Sequence, residues 1–99
     1  MAEVRIGEEA EAEYAEALAW YAERSAKASA GFEAAFADAV EQMGQNPVRY
    51  PECDEEEGFR FATLSGYPYS LIYRTTKDVV QIIAVAHARR RPGYWAKRG

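Results

Sequence analysis

The residues best equipped to do chemistry are concentrated in the closing segment HARRRPGYWAKR, where His87, Arg89, Arg90, Arg91, Tyr94, Trp95, Lys97 and Arg98 stand together without a carboxylate. Cutting RNA without a metal requires a group to take the ribose 2′-hydroxyl proton, cations to stabilise charge growing on the phosphate, and an acid for the leaving oxygen. His87 or Tyr94 could move protons, and the arginines could hold phosphate through paired guanidinium hydrogen bonds. Tyr94 and Trp95 could stack on unpaired bases. Arg60 and Arg74, on segments that could lie alongside, would add positive charge to the same side.

Each of these residues also has a structural reading. A histidine at a strand end can simply hydrogen-bond a neighbouring loop. Tyr94 and Trp95 can close an open end of the core. An arginine run can be a solvated face or the docking patch for an acidic partner. Most other chemistries are absent: the chain has no phosphate-cradling glycine loop, no nucleotide fingerprint and no Ser or Cys nucleophile motif. With Cys53 as the only cysteine and His87 as the only histidine, neither an internal disulfide nor a usual zinc site can form, and no cofactor is expected.

The elements that must position this segment are legible from periodicity. Val4 to Ile6 form a short β-prone run closed by Gly7. From Glu8, apolar residues at Ala10, Tyr14, Ala17, Leu18 and Tyr21 line one face of a helix running to about Arg24, with the carboxylates of its first turns largely elsewhere. Ser25 reads as an N-cap or turn residue before a second helix, whose stripe is Phe32, Ala35, Phe36, Ala39, Val40 and Met43. The short connection predicts an antiparallel hairpin, stopped by Gly44, Asn46, Pro47 and Pro51. An acidic loop, Glu52 to Gly58, follows.

After the loop the period changes to two. Phe59 to Leu64 and Tyr69 to Arg74 read as half-buried strands separated by the turn SGYP, and TTKD forms a second turn. Val79 to His87 is apolar on both faces and predicts the best-buried strand. The order β-α-α-β-β-β predicts an α+β fold, with the helical hairpin packed on a small, mostly antiparallel sheet.

Ninety-nine residues, 48% of them hydrophobic, make one domain spanning 1–99 with a core that needs no disulfide. The single cysteine favours a reducing compartment. The opening residues carry neither the basic start nor the apolar run of a signal peptide, and no stretch approaches a membrane span, so a cytoplasmic protein without membrane contact is expected. The formal charge of −4 hides an asymmetry. Residues 1–57 carry fifteen carboxylates against four Lys/Arg, net −11, whereas residues 58–99 carry eight Lys/Arg against Asp78 alone, net +7. Either the basic half meets an anionic partner or the halves neutralise each other across the fold.

The segments NPVRYP, Arg60 on the next strand, YPYSLIYR at 67–74 and IIAVAHARRRPGYWAKR at 82–98 resemble the ParE/RelE superfamily of toxins from bacterial type II toxin-antitoxin systems, on the ParE-like side. The resemblance covers nearly the whole chain. It implies a toxin neutralised by a cognate antitoxin in a hetero-oligomer. Members similar to ParE arrest growth by inhibiting DNA gyrase; those similar to RelE cut mRNA on the ribosome without a metal. In the RelE-like alternative Tyr94 would transfer the proton, with Arg60, Arg89 and Arg90 stabilising the phosphate.

Residue by residue, Tyr94 matches the RelE-like tyrosine, but Ser70 and Ala88 stand where such enzymes carry arginines. ECDEEEGFRF is acidic where they place lysines. The resemblance therefore favours a gyrase inhibitor, whose target or antitoxin contacts would be His87, Arg89, Arg90, Arg91, Tyr94, Trp95 and Arg98. A degenerate toxin kept for antitoxin binding is the remaining alternative.

Overall fold

The computed structural model of the protein describes residues 1–54 and 57–98. Its elements are β1 (Glu3–Ile6), α1 (Glu8–Arg24), α2 (Ala26–Gln45), β2 (Arg60–Thr63), β3 (Tyr69–Thr76), β4 (Val79–His87) and a 3-10 turn at Ala96–Arg98. The α+β order expected from periodicity is the order observed. No helix among the described residues is long and apolar enough to cross a membrane.

Ser25 alone separates the helices, and its hydroxyl accepts the Ala28 backbone N–H at 3.1 Å, as its place before a periodic apolar stripe predicts. The helices run antiparallel: Tyr21 lies against Phe32, while Tyr14 lies against Phe32 and Phe36. Gly31 matters here because any Cβ at that position would run into the Tyr67 hydroxyl, which donates to the Ala28 carbonyl at 2.7 Å. That bond pins the β2–β3 connection to the hairpin.

The sheet has strand order β1-β4-β3-β2, with β1 parallel to β4 and the other pairs antiparallel. The helices cover one face, where Phe32, Met43, Leu71, Tyr73, Val80, Ile82 and Val85 make the main core. A smaller cluster of Cys53, Phe59, Ile72, Ile83, Ala84 and Trp95 fills the other face. The apolar character of β4 on both sides is thus explained by two cores rather than one.

Register explains how β4 serves both. Tyr73 faces Ile82 and Ile72 faces Ala84, so Ile83 is an extra residue, a β-bulge. Ile82 and Val85 point to the helices, while Ile83 and Ala84 both point to the second cluster. Strict alternation would have sent one of them to the wrong side.

Three boundaries differ from the periodic reading. Strand β2 starts at Arg60 and ends at Thr63. Strand β3 continues through Thr76, so the TTKD turn shrinks to Lys77 and Asp78. The acidic loop includes residues 55 and 56, which lie outside the described residues; its start is not solvated backbone, since the Cys53 N–H donates to the Phe59 carbonyl at 2.7 Å and Cys53 is buried.

Lys77 and Asp78 both adopt positive φ, 48° and 66°, as the tight turn between twisted antiparallel strands demands. Non-glycine residues pay a steric cost of about 1 kcal/mol in this region. Asp78→Gly is therefore expected to raise the thermal midpoint by roughly 4 °C or more, read by circular dichroism melting; an unchanged or lower midpoint would refute this account of the turn.

Candidate functional site at the exit of strand β4

Strand β4 delivers His87 beside Tyr69, with the two rings perpendicular and 4.9 Å apart. The Arg89 N–H donates to His87 Nδ1 at 3.0 Å, and the Arg90 N–H donates to the His87 carbonyl at 3.0 Å. The Ala88 N–H donates to the Pro68 carbonyl at 2.8 Å. These bonds fix a turn from which Arg89, Arg90 and Arg91 stand exposed.

Pro92 and Gly93 then reverse the chain. The Tyr94 N–H closes on the Arg91 carbonyl at 3.3 Å, and Gly93 has φ 81°, the arrangement of a type II turn with proline first and glycine second. The reversal brings Trp95 back onto the sheet, where it is 3% exposed and packs on Phe59 with ring centroids 5.0 Å apart. Trp95 closes the second core, the structural role open to it from sequence.

Strand β1 ends opposite Ile82, so the last part of β4 has an uncovered edge. Its polar groups find partners in the tail and in α1. The Val85 N–H donates to Glu13 Oε1 at 2.9 Å, and Arg98 Nη1 donates to the Ile83 carbonyl at 3.3 Å. Glu13 and Arg98 also bind each other: Arg98 Nη1 and Nη2 lie 2.8 and 3.1 Å from the two carboxylate oxygens. The Tyr94 hydroxyl donates to Glu13 Oε2 at 2.7 Å.

Burial alone would raise the Glu13 pKa, but hydrogen bonds from Arg98, Tyr94 and Val85, together with the Arg98 charge, bring it below the ordinary carboxylate value. Tyr94 moves the other way. Burial, its hydrogen bond to Glu13 and the Glu13 charge hold its hydroxyl protonated well above the usual phenol range. The guanidinium carbons of Arg90 and Arg98 lie 3.8 and 4.9 Å from the centre of its ring.

Among the residues singled out from sequence, His87, Arg90, Arg91, Tyr94 and Trp95 line an open depression of about 250 Å³ together with Asp54, Ser70 and Ala86. Arg60 is not among them. It lies toward the other end of β2, opposite Tyr73, and donates to the Tyr50 carbonyl at 2.6 Å, holding the segment that leaves α2. Arg98 is turned inward to Glu13, with 18% of its side chain exposed.

Glu13 was not singled out. Its signal was nevertheless present: it falls three residues after Ala10 and four before Ala17, on the stripe those buried alanines define. A carboxylate on an inward stripe needs a cationic partner, and the basic tail supplies one.

The same fold occurs in a chain of a chromosomal ParDE toxin-antitoxin system from P. aeruginosa, with a TM-score of 0.75 at 18% sequence identity over 88% of this chain and 96% of that one. No curated protein sequence matches the chain. The shared fold is thus one found in a toxin-antitoxin system. Residues 4–92 match the family described as the ParE toxin of the type II toxin-antitoxin system parDE, and the chain belongs to that family.

Replacing Glu13 by Gln keeps the size of the side chain but removes the charge that Arg98 and Tyr94 face, with an expected loss of about 2 kcal/mol of unfolding free energy. A carboxylate with a depressed folded-state pKa contributes fully above its unfolded value, and the contribution is lost as pH falls through the folded one. The stability gap between wild type and Glu13→Gln in urea titrations should hold at neutral pH and close below about pH 4. A gap unchanged at about pH 3 would exclude the ion pair as its cause.

Proposed function

We propose that this ParE-family toxin arrests growth by binding DNA gyrase through the exit of β4, and that its cognate antitoxin neutralises it in the cytoplasm by covering the same surface. The carrying observation is the division of labour in the tail. Arg89, Arg90 and Arg91 stand exposed on a turn fixed by backbone hydrogen bonds, whereas Trp95 and Arg98 are spent on holding the tail in place. A run of arginines on a hydrogen-bonded backbone, beside the depression that includes His87 and Tyr94, suits an acidic protein surface, because it docks without first ordering a loop.

The ribonuclease alternative has less support. Tyr94 already donates its hydroxyl to Glu13, and burial beside that carboxylate makes the phenolate costly, so it is poorly suited to take a proton at neutral pH. Arg60 is committed to the Tyr50 carbonyl and stands apart from the other named residues. Protein-protein poisoning needs no proton transfer.

Induction of the toxin alone should halt growth and either relax plasmid supercoiling or trap cleaved DNA. Charge reversal at Arg89, Arg90 and Arg91 together should abolish arrest while leaving the thermal midpoint within a few degrees, since these side chains are solvent-exposed. Arrest with normal supercoiling would overturn the gyrase target. Codon-spaced cuts in cellular messages that vanish in Tyr94→Phe would replace it with ribosome-dependent cleavage.

A further inference from the structure

The opposite side of His87 faces α1 across a second concavity that the contact surface above does not use. A cavity of about 160 Å³ is lined by Glu16, Trp20, Tyr21, Pro68, Tyr69 and His87. It adjoins another that shares Glu16, Tyr69 and His87 and reaches Arg90. Glu16 and Trp20 are four residues apart on α1 and so project from one face of the helix. Tyr21 follows Trp20 on α1, with their ring centroids 5.1 Å apart; the rings of Tyr21 and of Tyr69 on β3 are 6.4 Å apart at a steep angle, and His87 meets the edge of Tyr69.

The cavity lining carries one carboxylate, Glu16, and no Lys or Arg, while Arg90 borders the adjoining concavity. Neither the Glu16 carboxylate nor the Tyr69 hydroxyl makes a hydrogen bond or ion pair among the described residues. The two are near enough for the Glu16 charge to add to the effects of burial and of Tyr21 in raising the Tyr69 pKa, so the phenol stays neutral. A carboxylate beside aromatic rings offers a full charge and ring faces with negative potential. That combination selects a cation with flat, weakly hydrated faces over an anion or a neutral apolar group.

The chain itself makes the contact it would offer. Arg24 lays its guanidinium 3.8 Å from the Trp20 ring centre while donating to the Trp20 carbonyl at 2.7 Å, and it does not line the cavity. A volume near 160 Å³ is of the order that accommodates a benzene ring, about 150 Å³, and a guanidinium group is no larger. The surrounding half of the chain is net −11, a field that draws basic segments toward α1.

We propose that the Glu16–Trp20–Tyr69 concavity is a receptor site for an arginine side chain carried by a basic segment of a protein partner. Glu16 receives the guanidinium through charge-assisted hydrogen bonds, and the rings of Trp20, Tyr21 and Tyr69 stack around it. The site lies on the helical side of His87, next to the surface that carries the exposed arginines. A partner could therefore engage both sides of His87 with segments of opposite charge.

The test is an NMR titration of the intact toxin with the capped tripeptide Gly-Arg-Gly, following the Trp20 indole and the Tyr69 and His87 ring signals. The arginine peptide should saturate these shifts, and the isosteric but neutral Gly-citrulline-Gly should bind at least about tenfold more weakly. Glu16→Gln should abolish the arginine response with an unchanged thermal midpoint, because Glu16 is exposed. Equal responses to arginine and citrulline, no response, or an arginine response that survives Glu16→Gln would overturn the site. Saturation by guanidinium chloride but not by the peptide would overturn its assignment to a protein partner. Gyrase inhibition can succeed or fail independently of every one of these outcomes.

Discussion

The hydrogen-bonded ion pair between Glu13 and Arg98 is the interaction on which the exit of β4 and the C-terminal tail depend. A four-stranded sheet whose first strand stops short leaves the far part of β4 with unmet backbone groups on one edge. Such an edge invites pairing with other chains. Here a helix and the returning tail close it jointly, because Glu13 takes the Val85 N–H, Arg98 serves the Ile83 carbonyl, and each neutralises the other. The tail is thereby fastened at both ends, by backbone bonds at His87 and by Arg98.

The bulge at Ile83 is what makes that fastening possible. By adding one residue it sends two adjacent side chains to the face away from the helices, giving Trp95 a bed of Ile72, Ile83 and Ala84 to lie on. The type II turn at Pro92 and Gly93 aims the chain back at that bed. Three guanidinium groups are left outward as a consequence, without a helix or strand of their own to carry them. A rigid basic edge is thus produced by local devices on a short chain that has little interior to spare.

The charge split acquires a spatial meaning in the same way. It is neither a pure dipole nor complete mutual neutralisation: Arg98 crosses to the acidic helix and pairs with Glu13 and Glu9, while Arg89 to Arg91 do not. His87 sits at the border. Arg90 and Arg91 lie with Asp54 around one depression beside it, and Glu16 with aromatic rings around another, with Arg90 reaching toward both. The strand end thus carries a run of guanidinium groups and a carboxylate-bearing concavity close together.

How much of this was legible beforehand follows from the range of each interaction. Helices, their antiparallel hairpin, the Ser25 cap, the α+β order and the extent of β4 depend on neighbours in sequence, and the periods of apolar residues carried them. The position of the basic exit was equally plain, because charge is written in residue type. Which basic residues would be spent inside the fold was not, since Arg98 and Arg91 look alike in the chain. Their fates were separated by a carboxylate 85 positions away from Arg98 and by a one-residue bulge that no periodicity announces. Glu13 lay on an alanine-flanked stripe, where burial was readable but its partners were not. Sequence alone determined the elements and the inventory of charges; tertiary structure decided which charges meet, because ion pairing and edge closure are contacts between segments that only the folded chain brings within reach.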